Sequence, residues 1–314
     1  MDWSSNTKRV GYRRVCDDMA SVIQKLDEKG LLKTPPSFLR TGVQLEVIMG
    51  STAYGVSNDT SDMDVYGFCI PSRDYVFPHL RGEIEGFGKQ GQRFGQFQQH
   101  HIKDHPKEYD LCIYSIVKFF QLCMENNPNM VDALFVPRRC VLYSTSIGEM
   151  VRDNRRLFLS KACWPKFRGY AYSQLHKMKT KKPEGKRIAT IEKYGYDVKF
   201  AYHVVRLLDE VEQILTTGDL DITRDRERLK AIRSGDWDMS RVEDHFAEKE
   251  KSLEAAHTNS ELPYSADEAA IKDLLLNCLE HHYGSLDAVI QRDDAHLNAL
   301  RQIDQITGSL LRSS

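Results

Sequence analysis

A chain of 314 residues is long enough for one large domain or two of ordinary size. Its 41% hydrophobic and 28% charged residues are those of a soluble globular protein, and no apolar run approaches the roughly 20 residues needed to span a bilayer. The net charge of −1 is unevenly placed: residues 155–206 hold fourteen Lys and Arg against three acids, the distribution expected of a face that binds a polyanion. Seven scattered cysteines, odd in number and without a CxxC pair, argue against a disulfide framework and a structural zinc site. With no signal-peptide core at the N-terminus, a cytoplasmic location is expected.

In chain order, apolar residues at helical spacing predict an amphipathic helix over 9–29, stopped by Gly30. Residues 43–49 are rich in β-formers with partial alternation and predict a strand that runs straight into Gly50-Ser51. A second strand is expected from about Met63 to Ile70, ended by Pro71. Residues 82–105, rich in Gly and Gln, read as a long loop or irregular hairpin. A third strand at 110–114 leads into a helix at 115–126, with Ser115 as its cap and Asn127-Pro128 as its breaker. Beyond Pro137 the periodicity is helical throughout, at 146–157, 165–179, 196–215, 225–232, 241–256 and 267–289. The expected organisation is therefore α/β over residues 1–140 and all-helical over 141–314.

The chemistry is concentrated in Gly50-Ser51-Thr52-Ala53-Tyr54-Gly55 and Ser61-Asp62-Met63-Asp64-Val65. Asp62 and Asp64 lie two apart, so a strand would place both carboxylates on one face. Converging carboxylates suit a hard cation such as Mg²⁺, which keeps positions for water and phosphate oxygens. Gly50 permits close approach of a phosphate, and Ser51 offers a hydroxyl and an N–H at a turn that opens a short helix. A third carboxylate would let two metals clamp an in-line displacement. Asp110, at the start of the third strand, is the favoured candidate, with Asp74, Asp104 and Asp132 as rivals. An isolated DxD is more often a pair of exposed strand charges. Its coupling to a strand-Gly-Ser turn favours the functional reading.

Gly50-Ser51 followed by Asp62-Met63-Asp64 resembles the signature of the polymerase-β-type nucleotidyltransferases. A larger part, over roughly residues 43–280, resembles the branch associated with RNA repair. It includes Asp110-Leu111, the run from Tyr114 to Phe120, Asn127-Pro128, Asp132-Ala133-Leu134-Phe135, Gly195-Tyr196-Asp197-Val198-Lys199 with His203 and Arg206, and Leu262-Pro263. The resemblance implies a small mixed β-sheet with helices and metal-binding carboxylates at Asp62, Asp64 and Asp110. It also implies Mg²⁺ or Mn²⁺ as cofactor, a nucleoside triphosphate such as ATP as donor, and RNA as acceptor. Residues 82–105 have no counterpart in the family's pattern.

Lys199, His203 and Arg206 stand at i, i+4 and i+7 and would line one helix face able to hold a triphosphate or pyrophosphate. The competing reading is a solvated face paired with Asp197 or Asp209. Lys177, Lys179, Lys181, Lys182, Lys186 and Arg187 form a denser basic run suited to contacts with an RNA backbone, with Tyr170, Tyr172 and Tyr194 near enough in sequence to stack on bases. Adjacent His100-His101 point to opposite sides of a strand, which disfavours a transition-metal site with Asp104 and His105. The expected reaction is transfer of a nucleoside monophosphate to a hydroxyl, with an RNA (tRNA-like) 3′ end preferred. A protein or small-molecule hydroxyl is one alternative acceptor, and a catalytically silent RNA-binding module is the non-enzymatic alternative.

Overall fold

The computed structural model describes residues 20–57, 63–182 and 187–286, with residues 300, 303 and 307 of the C-terminal segment. In order the first half contains α1 (Val22–Glu28), α2 (Leu39–Gly42), β1 (Val43–Ile48), α3 (Gly50–Ala53), β2 (Met63–Cys69), α4 (Arg73–Val76), β3 (Gln96–Asp104), β4 (Lys107–Ser115), α5 (Ile116–Met124), α6 (Pro128–Phe135) and β5 (Val141–Ser144). The second half is helical: α7 (Ser146–Asp153), α8 (Cys163–Thr180), α9 (Arg187–Tyr194), α10 (Val198–Thr217), α11 (Arg226–Arg233), α12 (Met239–Asn259) and α13 (Glu268–Tyr283).

The sheet runs β3-β4-β2-β1-β5, with β2 and β4 parallel and the other pairs antiparallel, so the expected small mixed sheet is present. Strand β1, between β2 and β5, is buried along its whole length, and its two polar residues explain the imperfect alternation. Glu46 accepts hydrogen bonds from Ser21 Oγ, Val22 N and Ile23 N at 2.7–3.0 Å, satisfying the first N–H groups of α1. Gln44 Oε1 accepts from Thr145 Oγ1 at 2.7 Å, and the same hydroxyl accepts from Ile147 N and Gly148 N to cap α7. Polar side chains on a buried strand thus serve as anchors for helix ends.

One sheet face packs on α1 and α2 through Val65, Cys69, Leu111 and Ile113 with Ile23, Leu26 and Leu39. The opposite face, through Phe68 and the partly buried Tyr66 and Tyr114, joins α5 and a larger core that continues into the helical half. At the centre of that half lies α10, in which fifteen of twenty residues are buried.

Of the helix expected over 9–29, α1 accounts only for Val22–Glu28: Ser21, extended at φ −53° and ψ 144°, caps it, so the helix starts within the expected span, and residues 9–19 lie outside those described. The 82–105 stretch is half a hairpin: Gln96–Asp104 is β3, paired antiparallel with β4. β5 was missed. It pairs with β1, so the sheet extends to residue 144, past the boundary expected at 140.

Gly67 on β2 lies against β1 so closely that a Cβ there would collide with the Leu45 carbonyl oxygen, while a Cβ on Gly169 in α8 would meet nothing. Gly67→Ala is therefore expected to cost about 1–3 kcal/mol through overpacking against backbone. Gly169→Ala should stabilise by about 0.5–1 kcal/mol through helix propensity. Urea midpoints at constant m-value check both.

Candidate active site

Gly50 has φ +67°, in the left-handed region, and a Cβ on it would strike Asp64 Oδ2. Backbone and carboxylate approach this closely only because residue 50 lacks a side chain. Met49 N donates to Asp64 O at 2.7 Å and holds the turn against the start of β2. α3 is a single turn, so it offers local N–H groups rather than the summed dipole of a long helix.

Asp64 and Asp110 are direct partners in the parallel β2–β4 ladder, on strands that lie roughly 4.8 Å apart. Both project from the face that carries Tyr66, Phe68, Cys112 and Tyr114, the side facing the helical half. Asp62 lies outside the described residues. The three rivals of Asp110 are engaged elsewhere. Asp74 accepts from Ser72 Oγ at 2.7 Å, Asp104 pairs with Lys29 at 2.7 Å, and Asp132 is buried in an ion cluster.

Asp110 is held by a feature that the sequence did not reveal. β3 bulges between Gln99 and Ile102, with His101 at φ +56°. The bulge aims His101 N at Asp110 Oδ1 (2.8 Å) and brings His100 Nδ1 to 3.3 Å from Asp110 Oδ2, while His101 Nδ1 lies 2.6 Å from Glu108. The His-His pair therefore contacts acids on β4, and no group of three or more His, Cys, Asp or Glu side chains is gathered for a metal among the described residues. Asp64 and Asp110 offer carboxylate oxygens, the donor type that suits hard divalent cations.

Tyr66 on β2 and Tyr202 on α10 both feel the charge of Asp64. Burial, then Cys112, Asp64, Tyr170 and Asp110, push the Tyr66 phenol up to about 12. Tyr202 on α10 is raised by burial, with Arg206 and Arg233 opposing and Asp64 and Tyr170 adding to the rise. Both the Tyr66 and the Tyr202 phenol therefore stay neutral.

The cationic stripe expected on α10 is not one surface. Lys199 is exposed, whereas Arg206 is 2% exposed. Its guanidinium bonds Asp132 Oδ2 and both oxygens of Glu210 (2.7 and 3.0 Å), and it lies 4.3 Å from the Tyr54 ring centroid. Tyr54 in turn donates to Asp132 Oδ2 at 2.7 Å. Burial alone would depress Arg206, but Glu210, Tyr54 and Asp132 hold it well above its ordinary value. Arg206 thus ties α10 to α6 and to the residue that closes α3. The one-face expectation fails because α6, α8, α11 and α12 enclose this part of the helix.

His203 has its Nδ1 shut from solvent and without a hydrogen-bond partner among the described residues, and its ring lies 4.2 Å from that of Tyr202. Burial, then Arg206, Lys199, Arg233 and Arg187, lower its pKa well below 6.5. In the basic run, Lys177, Lys181 and Lys182 are exposed. Lys179 pairs with Glu243 (2.9 Å), Arg187 pairs with Asp197 (3.0 Å) and stacks on Phe200, and Lys186 lies outside the described residues.

A family profile described as the RNA repair pathway DNA polymerase beta family matches residues 32–302. None of the curated proteins matches the sequence. A nucleotidyltransferase-like protein from Exiguobacterium sibiricum is a structural neighbour at 9% identity and TM-score 0.27, over 74% of this chain and 75% of that one, too distant to carry an argument. Among the described residues no helix is long and apolar enough to cross a membrane.

Two outcomes are expected. Arg206→Met leaves Asp132 and Glu210 buried without their cation and should destabilise the fold by about 3–5 kcal/mol, read from urea denaturation. Below pH 6.5 the unfolded chain takes up a proton at His203 that the folded chain refuses, so stability falls as pH drops through that window. His203→Gln should flatten this dependence by up to about 1.4 kcal/mol per pH unit, measured as the wild-type-minus-variant slope.

Proposed function

The chain belongs to the RNA repair pathway DNA polymerase beta family and is a nucleotidyltransferase, and from that premise we propose that it moves a nucleoside monophosphate from a nucleoside triphosphate onto the 3′ hydroxyl of an RNA, tRNA-like in form. The observation that carries this reading is the in-register opposition of Asp64 and Asp110 beside the Gly50 turn. Asp62, Asp64 and Asp110 would hold Mg²⁺ or Mn²⁺. When bound, the cation supplies charge neutralisation for the triphosphate and its leaving group.

The remaining work falls to the chain. Gly50 lets the phosphates approach the backbone, and Ser51 adds a hydroxyl and an N–H at the same turn. Asp110, oriented by His101 N and His100, takes the proton of the attacking hydroxyl. The oxygen–Pα bond forms as the bond from Pα to the bridging oxygen breaks, and pyrophosphate leaves with that electron pair. Lys199, exposed near the start of α10, draws the departing pyrophosphate by charge. Arg206 acts indirectly: through Tyr54 it steadies α3. RNA as acceptor is supported by the exposed Lys177, Lys181 and Lys182, positions at which small acceptors would need no charge. A soluble, cytoplasmic enzyme fits the composition.

The test is transfer of label from an α-³²P nucleoside triphosphate to RNAs with free or blocked 3′ ends. Asp64→Asn and Asp110→Asn should each lower the rate by about 100-fold or more without loss of fold by circular dichroism, and a blocked 3′ end should be inert. Full transfer by an Asp62→Ala/Asp64→Ala double variant would overturn the assignment.

A further inference from the structure

A cavity of about 300 Å³ is lined by Glu125, Asn127, Pro128, Asn129, Lys166 and Tyr170, on the helical side of the sheet toward which Asp64 and Asp110 project. Its position follows from the topology. From Asp110 to Ser115 the chain advances roughly 16 Å along β4. Then α5 folds back over the same face for roughly 13 Å, with Phe119 packed on Phe68 at 5.0 Å between ring centroids. The end of α5 at Glu125 thus returns toward the level of Asp110. Tyr170 makes the connection from the other side, because it lines the cavity and is also close enough to act on both the Tyr66 and Tyr202 phenols.

The lining is chemically selective. Asn127 Oδ1 is engaged by Asn129 N at 3.1 Å, which leaves the Asn127 amide nitrogen as a donor only. Asn129 offers a complete carboxamide, donor and acceptor side by side. Glu125 accepts only, and Lys166 is an exposed cation on α8. Among the described residues none of these side-chain groups, nor the Tyr170 hydroxyl, bonds to another part of the chain beyond that one Asn127 contact. An aromatic ring, a carboxamide and a further acceptor match the face and edge of a base that presents an amine beside a ring nitrogen; a carboxamide pairs in this way with adenine N6 and N7.

We propose that this cavity is a nucleobase pocket that prefers adenine over uracil, with Tyr170 stacking on the base, Asn129 and Glu125 reading its amine edge, and Lys166 meeting a phosphate. The proposal rests on the nucleotidyl-transfer reading for its purpose, but base binding needs neither metal nor transfer and is measured separately. AMP and UMP are titrated into the full chain without divalent metal, followed by ligand-observed NMR. AMP should bind about tenfold more tightly than UMP. Tyr170→Leu and Lys166→Ala should each weaken AMP by about fivefold to tenfold, and Glu125→Ala, which removes the acceptor that uracil O4 cannot meet, should erase the preference. Asp64→Asn should abolish transfer yet leave AMP binding intact, which separates failure of the pocket from failure of the catalytic site.

The base has two sources. If the donor fills the pocket, Glu125→Ala removes a preference for ATP over UTP on a fixed RNA. If the acceptor fills it, the variant removes a preference for RNA ending in A over RNA ending in U with a fixed donor. Equal binding of AMP and UMP by the wild type would overturn the proposal. So would AMP affinity unchanged in correctly folded Tyr170→Leu and Asn129→Leu.

Discussion

The site depends on the register between β2 and β4. Because side chains alternate along a strand, a slip of one residue would turn Asp110 to the opposite face, among the apolar residues beneath α1 and α2. Leu111 and Ile113, both buried in that cluster beside Val65 and Cys69, make such a slip expensive, since it would also bring them to the acidic face. The positions of two polar catalytic candidates are therefore set by the hydrophobic residues between them. The bulge on β3 then adjusts orientation: its extra residue brings a backbone N–H to Asp110 that regular pairing would direct elsewhere.

The legible parts of the sequence were those in which local pattern and tertiary environment agree. β1 and β2 are continuous β-forming runs, α5 has a serine cap and a proline-containing exit, and the helices beyond residue 146 carry clean periodicity. Gly50 was legible because the turn demands a residue without a side chain. β3 was not, since Gln96, Gln98, Gln99, His100 and His101 make an exposed edge strand with little apolar alternation. β5 escaped because it is four residues long and only half-buried, so that its pairing with β1, more than its own composition, makes it a strand. The bulge that orients Asp110 has no sequence signal beyond an unusual pair of histidines.

Arg206 shows where periodicity misleads. Spacing of three and four identifies one side of a helix, but whether that side meets water depends on what surrounds it, and α10 is enclosed over most of its length. A guanidinium in such a place survives only with partners. Asp132 and Glu210 provide them, with Tyr54 completing the shell. The same cluster joins α10 to the single turn α3, so that the helical half and the Gly50-Ser51 turn are braced by one buried ion cluster.

The local surplus of positive charge must accordingly be reduced before it is read as a binding surface. Arg206 is buried, Lys179 pairs with Glu243, Arg187 pairs with Asp197, and Arg168 pairs with Glu250 at 2.6 Å. The exposed cations Lys166 and Lys177 remain on α8, with Lys181 and Lys182 just beyond its end. From Lys166 to Lys177 is roughly 16 Å along the helix. Lys166 at one end of that row lines the cavity with Glu125 and Tyr170, and Lys177 is exposed at the other. On the proposed reading, a polyanion lying along α8 would meet the unpaired cations of this helix first, so the unpaired charge, more than the total, bears on that proposal.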